Sequence, residues 1–332
     1  MKLRIILIII VLAILGFVGF KYETISAWLN KDKASTTQTS QITPSVAEKS
    51  VEELQALAQK GDVAAQYELA NNYYFGHQIE QNFDEALKLY TQAAQAGNAD
   101  AQNNLGVMYM NGHGVEQNIT QALDWYQKAA NQNNSNGQYN IGMFYERGLG
   151  VEQNITQAVK WYKDSIAQNN PLAQYALGSL LQAGVNIDKN ETEAFKLFEL
   201  AANQGHAWAQ YNLGLLYTTG EGAIEQDIKE ALKWYILSSN QGNPWSLNNL
   251  GMMFENGYGV PQNKIIAFTL YSFSTAFDNS SSNKATENQK KLASTLAPED
   301  INASQALAKE IQTHGIDKAI SDYLEKITPK KP

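Results

Sequence analysis

The sequence contains no cysteine among its 332 residues. This absence excludes disulfides, thiolate nucleophiles and cysteine-ligated zinc or iron–sulfur sites. It does not fix the compartment, because reducing and oxidising compartments both contain cysteine-free proteins. The net charge of −8 would repel phosphate backbones, so we expect no nucleic-acid partner.

Recognisable catalytic motifs are also missing. The chain has no GxSxG, HExxH or GxxxxGK[ST] pattern, and no GxGxxG follows a strand-like segment. Of the four histidines, His77 and His113 follow glycines at equivalent positions of neighbouring loops. A metal held there would need both side chains to converge and further ligands, so two polar loop residues are the simpler interpretation. We predict no catalytic residue, no metal and no cofactor.

One long apolar run stands at the N-terminus, where Lys2 and Arg4 precede the uncharged segment 5–20. As a helix this segment rises roughly 24 Å, and residues 3–22 extend it towards the thickness of a bilayer core. Small residues typical of a cleavage site do not follow, which favours an uncleaved signal anchor over residues 1–22 rather than a cleaved signal peptide. A buried core helix does not fit, because no face is polar. Residues 23–46 indicate a flexible linker.

An internal repeat dominates the remainder of the chain. The stretch "GVEQNITQA" occurs at 114–122 and again at 150–158, which gives a period of 36. An "AQxxLG" element recurs with this period, and a second element such as "QALDWY" or "EALKWY" follows each copy. Apolar residues within a unit recur at helical spacing, so each unit is predicted to be a helix-turn-helix pair. The units are about 61–96, 97–132, 133–168, 169–204, 205–241 and 242–278.

Two columns of the repeat have predicted structural roles. A glycine inside a helix costs about 1 kcal/mol, so its recurrence in the first helix indicates close contact with a neighbouring helix. Asparagine or aspartate begins each second helix, with Glu or Gln three residues later in five units of six, which predicts capping boxes. Asn118 and Asn154 are therefore better explained as helix caps than as glycan acceptors. The glycines are Gly106, Gly142, Gly178, Gly214 and Gly251, and the caps are Asn82, Asn118, Asn154, Asn190, Asp227 and Asn263.

These residues resemble the Sel-one-like repeat family, a branch of the tetratricopeptide-like helical repeats, and with the N-terminal anchor the chain resembles a membrane-anchored bacterial member. "AQYNLGLLYTTGEG" and "GVEQNITQAVKWY" match the family pattern closely, and the resemblance covers roughly 61–278. It implies an all-α, right-handed α/α superhelical solenoid of about six 36-residue units over 47–278, behind an N-terminal transmembrane helix. Residues 50–61 look like a capping half unit, and 279–332 like two closing helices and a tail.

Aromatic residues provide the candidate site. Trp208 and Trp245 stand at the first turn of the first helices of units five and six, where the family pattern has no aromatic. A second column follows the repeat glutamine and would line a concave face by tetratricopeptide analogy. We predict partner binding by Trp208, Trp245, Tyr139, Tyr175, Tyr211, Asn103 and Asn248. A purely structural role, in which these side chains cover the neighbouring repeat, stays open.

The leading functional hypothesis is a membrane-tethered scaffold or adaptor that binds a protein or peptide in the bacterial cell envelope. The positive-inside rule places Lys2 and Arg4 in the cytoplasm, which gives a single-pass inner-membrane protein with a periplasmic solenoid. Two alternatives remain. One is a cell-wall-active hydrolase of the repeat family, and the other is a structural spacer or self-assembling array.

Overall fold

The computed structural model describes residues 49–220, 224–278, 280 and 282–327. These residues contain sixteen helices and no strand, and the helices belong to one compact unit that begins at Ser50. The helices are α1 Val51–Gln59, α2 Val63–Phe75, α3 Phe83–Gln95, α4 Ala99–Asn111, α5 Ile119–Asn131, α6 Ser135–Arg147, α7 Ile155–Ile166, α8 Pro171–Ala183, α9 Glu191–Asn203, α10 Ala207–Thr219, α11 Ile228–Asn240, α12 Pro244–Asn256, α13 Lys264–Phe277, α14 Ala285–Ala293, α15 Pro298–His314 and α16 Ile316–Ile327.

Helices α2 to α13 form six consecutive pairs. Each first helix packs against the second helix of its own unit, and each second helix packs against the first helix of the next unit. This arrangement confirms the predicted all-α repeat solenoid, while its right-handed course stays a prediction. The predicted transmembrane helix at 1–22 and the linker at 23–46 lie outside the described residues. No helix within the described ranges combines the length and apolar character needed to cross a membrane.

In units two to six, the glycine inside the first helix lies against an aromatic ring of the second helix. A Cβ atom on Gly142 would lie 2.6 Å from Cε1 of Tyr162, a ring that is 1% exposed. The same arrangement recurs in the other glycine-containing units. The predicted close approach of the two helices is therefore confirmed, because a side chain at this position would overlap a buried ring. The other pairs are Gly106–Tyr126, Gly178–Phe198, Gly214–Tyr235 and Gly251–Tyr271.

The predicted caps begin all six second helices, but the capping box is only half formed. The Asn118 side chain accepts a hydrogen bond from the backbone N–H of Gln121 at 3.0 Å, as expected. The backbone N–H of Asn118 donates to the carbonyl of Tyr109 in the preceding helix at 2.8 Å, rather than to the Gln121 side chain. The reciprocal bond of the box is thus replaced by a bond between the two helices. A complete box is present at α1, between Ser50 and Glu53.

The glutamine that precedes five of the six caps has a role that the sequence analysis missed. Gln117 Nε2 donates to the carbonyl of Met110 at 2.7 Å, and Gln153 Nε2 donates to that of Glu146 at 2.8 Å. Each bond ties the loop to a carbonyl near the C-terminal end of the first helix, where carbonyl groups have no donor within the helix. In the "QN" of the repeated stretch, the glutamine therefore bonds the first helix and the asparagine caps the second. Gln81, Gln226 and Gln262 make the equivalent bond.

The C-terminal region contains one more helix than predicted. The two expected closing helices are α14 and α15, and α15 begins at Pro298 with an acidic first turn, as expected. Helix α16 follows and packs against α15 and α11. The backbone N–H of Ile316 donates to Oδ1 of Asn240 at 2.9 Å, and Ile316 and Ile320 are buried. Helix α16 was not predicted, because the residues of α11 that it contacts lie far from it in the sequence.

Candidate partner-binding surface

The residue before the repeat "AQ" element changes character along the stack. Units one to three have Ala64, Asp100 and Asn136 at this position, whereas units four to six have Leu172, Trp208 and Trp245. Leu172 is 39% exposed and Trp208 is 41% exposed, while Trp245 is half-buried. The first turns of α8, α10 and α12 thus carry large apolar side chains where earlier units have small or polar ones.

In units two and three, the residue at this position accepts a hydrogen bond from the N-cap of the next unit's first helix. Asn134, the N-cap of α6, donates from Nδ2 to Oδ1 of Asp100 at 2.7 Å. Asn170, the N-cap of α8, donates from Nδ2 to Oδ1 of Asn136 at 2.9 Å. Each cap therefore uses its oxygen for its own helix and its amide N–H for the preceding unit.

In unit five, the same position holds Trp208, which offers no acceptor for the N-cap of unit six. The N-cap of α12 is Asn243, whose Oδ1 accepts from the backbone N–H of Ser246 at 2.9 Å. Its Nδ2 atom is buried, and it has no hydrogen-bond partner among the described residues. By equivalence with Asn134 and Asn170, the acceptor would stand at position 208, where there is a tryptophan. A buried amide donor without a partner costs about 1–3 kcal/mol.

Three of the predicted site residues come together in one aromatic cluster. The ring of Tyr211 lies 6.0 Å from that of Trp208 at an interplanar angle of 85°, and 6.2 Å from that of Trp245. Trp245 is covered more than Trp208, so the expectation of two exposed tryptophans holds for Trp208 alone. Tyr211 links the first turns of α10 and α12.

The other predicted site residues are more deeply engaged in packing. Tyr139 and Tyr175 are half-buried, with rings 5.9 Å from those of Tyr162 and Phe198 respectively, in the second helices of their own units. Asn103 and Asn248 are each 7% exposed. Their Oδ1 atoms accept hydrogen bonds from Asn140 at 2.8 Å and from Asn288 at 2.9 Å. These four side chains connect helices. Asn103 and Tyr139 also belong to units two and three, where Asp100 and Asn136 stand in place of a large apolar residue.

An apolar groove lies between α10 and α12, which contact each other directly. Leu215 and Met252 stand seven residues after Trp208 and Trp245, two helical turns further along the same faces. The groove has a volume of about 310 Å³ and is lined by Leu215, Thr218, Tyr235, Asn249, Met252, Met253, Asn256 and Tyr258. We call Trp208, Tyr211, Leu215, Trp245 and Met252 the α10–α12 face.

The groove residues were missed because their column is not distinctive. Val107 and Met143 occupy the same position in units two and three. Only the combination with tryptophan two turns earlier separates units five and six from the others. That combination was the available signal.

The helices that form the α10–α12 face carry almost no charge. Helices α8, α10 and α12 together contain a single charged residue, Glu255, which accepts a hydrogen bond from the Tyr271 hydroxyl at 2.6 Å. Burial raises the pKa of Tyr211 to about 12, so its hydroxyl stays protonated at physiological pH. The first helices of units one to three differ in that they carry Glu68, Asp100, Glu146 and Arg147.

The two loop histidines do not converge on a metal site. Nδ1 of His113 lies 2.9 Å from the Tyr74 hydroxyl, and its ring stacks on Phe83 at 4.7 Å. In the part of the chain that the structure describes, no group of three or more His, Asp or Glu residues is placed to hold a metal ion. His113 therefore acts as a packing and hydrogen-bonding residue between units one and two.

His206, the N-cap of α10, gives a pH-dependent prediction. Its Nδ1 accepts from the backbone N–H of Ala209 at 3.2 Å, and its ring stacks on Tyr175 at 4.6 Å. Burial lowers the pKa of His206 below its usual value. The unfolded chain therefore binds the proton more readily, so the cap contributes fully above about pH 6.5 and loses its contribution as the pH falls.

We expect acidification from pH 7.5 to 5.5 to lower the melting temperature of the wild type more than that of His206→Asn. Asparagine does not titrate, and it is the N-cap of four other first helices. Circular dichroism at 222 nm across this pH range measures the difference. Parallel pH profiles for the two proteins would contradict a titrating cap.

Comparison with known proteins agrees with this architecture. The chain matches the family profile described as Sel1 repeat over residues 63–98, 99–134, 135–170, 171–206, 209–243 and 246–274. No curated protein matches it.

Two solved structures are similar over most of the chain. The first is c5321, a protective antigen of uropathogenic Escherichia coli strains displaying an SLR fold, with a TM-score of 0.67 and 28% identity over 85% of this chain and 60% of that one. The second is a Sel1 repeat protein from Oxalobacter formigenes, with a TM-score of 0.61 and 28% identity over 69% of this chain and 92% of that one. The chain thus spans less than two thirds of the Escherichia coli protein.

Proposed function

The chain belongs to the Sel1 repeat family, and from that premise we propose that it is a non-enzymatic scaffold that binds a protein partner through the α10–α12 face. Sel1 repeat proteins generally mediate protein–protein interaction. Solenoids suit this role because stacked repeats present an extended surface made of equivalent helix faces.

The observation that carries the proposal is the placement of Trp208. It is 41% exposed, its ring contacts Tyr211, which in turn contacts Trp245, and the apolar groove lies two helical turns further along the same two helices. Single exposed apolar residues are common on protein surfaces, but a contiguous patch rimmed by polar residues is typical of an interaction site. Tryptophan and tyrosine are also the residues most enriched among those that dominate binding energy.

The proposal includes a membrane tether in a bacterial cell envelope. Its support is the uncharged segment 5–20 behind Lys2 and Arg4, followed by the polar stretch 23–46. As a flexible chain, this linker would have a root-mean-square span of about 27 Å. An uncleaved anchor of this orientation would hold the scaffold in the periplasm, close to the membrane surface.

Site-specific photocrosslinking in living cells tests the partner and its site together. A benzophenone amino acid replaces Leu215 in the full-length chain, and a matched control carries it at Val107, the equivalent half-buried position of unit two. We expect a discrete heterologous adduct from position 215 and none from position 107. The Trp208→Ala/Trp245→Ala double variant should lose at least nine-tenths of the adduct while keeping its melting temperature within a few degrees.

The other outcomes separate the alternatives. Equal adducts from both positions, or an adduct unchanged in the double variant, would remove the site assignment. An adduct made only with a second copy of this chain would favour a self-assembling array. If position 215 yields no adduct, the scaffold proposal fails, and peptidoglycan turnover by the purified protein becomes the next assay for the hydrolase alternative.

A further inference from the structure

The buried amide of Asn243 indicates what kind of group the α10–α12 face accepts. Asn243 is 4% exposed, and its Nδ2 lacks a hydrogen-bond partner within the described ranges. The equivalent amides of Asn134 and Asn170 are satisfied by Asp100 and Asn136. In unit five the position equivalent to Asp100 and Asn136 holds Trp208, which offers no acceptor for this donor.

Trp208 stands where the acceptor would be, and it can be reached from solvent. Its side chain is 41% exposed. A ligand that presents a carbonyl oxygen beside the indole would supply the missing acceptor. It would also remove the cost of an unpaired buried donor, so the bond is worth more than one made to a solvated amide.

The groove fixes the size of the second contact. Its volume of about 310 Å³ lies at the lower limit of pockets that hold complete small molecules. It suits one or two apolar side chains, since Leu215, Met252 and Met253 supply its apolar wall. Methionine adapts readily to different apolar shapes, because its side chain is unbranched and polarisable.

The spacing of the two contacts indicates an extended chain. Trp208 and Leu215 are separated by seven residues of helix, which corresponds to about 10 Å. An extended peptide covers this distance in about three residues. The carbonyl acceptor and the apolar anchor would then belong to one short segment of backbone lying along α10 and α12.

The charge of the face limits the composition of that segment. Helices α8, α10 and α12 offer no charged partner besides Glu255, which already accepts from Tyr271. A charged ligand residue placed here would lose hydration without gaining an ion pair, which is unfavourable. Uncharged residues avoid that cost.

We propose that the α10–α12 face binds an uncharged, extended peptide segment, with an apolar side chain in the groove beside Leu215 and Met252 and a backbone carbonyl that accepts from Asn243. This inference rests on the proposed function and adds the chemistry of the partner. Trp208, which stands at the acceptor position of the free protein, would then pack against the bound peptide.

A displayed library of random twelve-residue peptides, selected on the full-length protein, tests the proposal. We expect the enriched peptides to share a core of about five residues without Lys, Arg, Asp or Glu and with one large aliphatic or aromatic residue. Synthetic peptides of the enriched sequences provide the probe for affinity measurements. Matched peptides with Lys or Glu at the apolar position should bind at least tenfold more weakly.

Trp208→Asn is the discriminating variant. It recreates the acceptor that Asn136 offers to Asn170, so we expect the melting temperature to be maintained or raised. Peptide affinity should nevertheless fall at least tenfold, because the aromatic contact is lost and the Asn243 donor is occupied. A second variant, Asn243→Asp, keeps the cap but removes the donor, and should weaken binding about fivefold or more.

Three results would overturn the proposal: enrichment of charged cores, no enrichment at all, or peptide affinities unchanged in Trp208→Asn. Such a failure is distinguishable from failure of the scaffold role. If photocrosslinking at position 215 still captures a partner, the scaffold stands and only the peptide chemistry is wrong. If peptides bind as expected but position 215 yields no adduct in cells, the face is a peptide site without the proposed cellular partner.

Discussion

Replacing Gly142 with valine lowers the free energy of unfolding by about 3 kcal/mol, because the new side chain would occupy the space of a buried ring. A Cβ atom at this position would lie 2.6 Å from Cε1 and 2.7 Å from Cδ1 of Tyr162. The ring cannot move into solvent, since it is 1% exposed, and its hydroxyl donates to Glu146 at 2.5 Å. Urea denaturation monitored by circular dichroism measures the loss.

A double-mutant cycle controls for general damage to the helix. Tyr162→Ala alone should cost about 3–5 kcal/mol, but adding Gly142→Val to it should cost far less than in the wild type. Valine is the discriminating substitution, because unit one already has Ala70 opposite the equally buried Tyr90. If the two substitutions prove additive, the clash with Tyr162 is not the cause.

Replacing Phe144 with alanine removes about 3–5 kcal/mol and weakens the junction between units two and three. Phe144 is 0% exposed and meets Tyr126 of the preceding unit edge-to-face at 5.5 Å. Because the stability of a solenoid is approximately a sum of unit and nearest-neighbour contributions, a weakened junction uncouples the two sides. We expect urea unfolding to change from one transition to two.

Phe144→Leu provides the matched control, since it keeps most of the buried volume. It should cost about 1 kcal/mol and preserve a single transition. Tryptophan fluorescence and circular dichroism, recorded on the same samples, reveal whether the two halves unfold separately. Coincident curves for Phe144→Ala by both probes would contradict the uncoupling.

The sequence-based predictions succeeded where the signal is local and periodic. Gly142 and the Asn118 cap recur at fixed positions of the repeat. The role of each could be predicted because it depends on residues within a single unit. The predicted box at Asn118 was wrong in its second half, because the backbone N–H found a carbonyl in the preceding helix instead. A glutamine at the third helical position does not reveal that competing partner.

The candidate site depends on contacts that no single repeat contains. Trp208 was recognisable as a departure from the pattern, but the groove at Leu215 and Met252 exists only because α10 and α12 lie side by side. The unpaired amide of Asn243 is invisible in the sequence for the same reason. Its partner would come from the previous unit, so only the assembled stack shows that the partner is missing.

The N-cap bonds between units have a consequence for how such chains can be lengthened or shortened. Asn134 is matched to Asp100, and Asn170 to Asn136, so each of these two caps is specified together with a residue of the unit before it. Excising unit four would bring His206 opposite Asn136, a combination that the folded chain does not use. Duplicating unit two or unit three places an asparagine cap opposite Asp100 or Asn136 and so preserves the matched pairs, whereas duplicating unit four would place Asn170 opposite Leu172. Units can therefore be inserted or deleted only where the residues on both sides of the new junction match. A length of 36 residues is not sufficient.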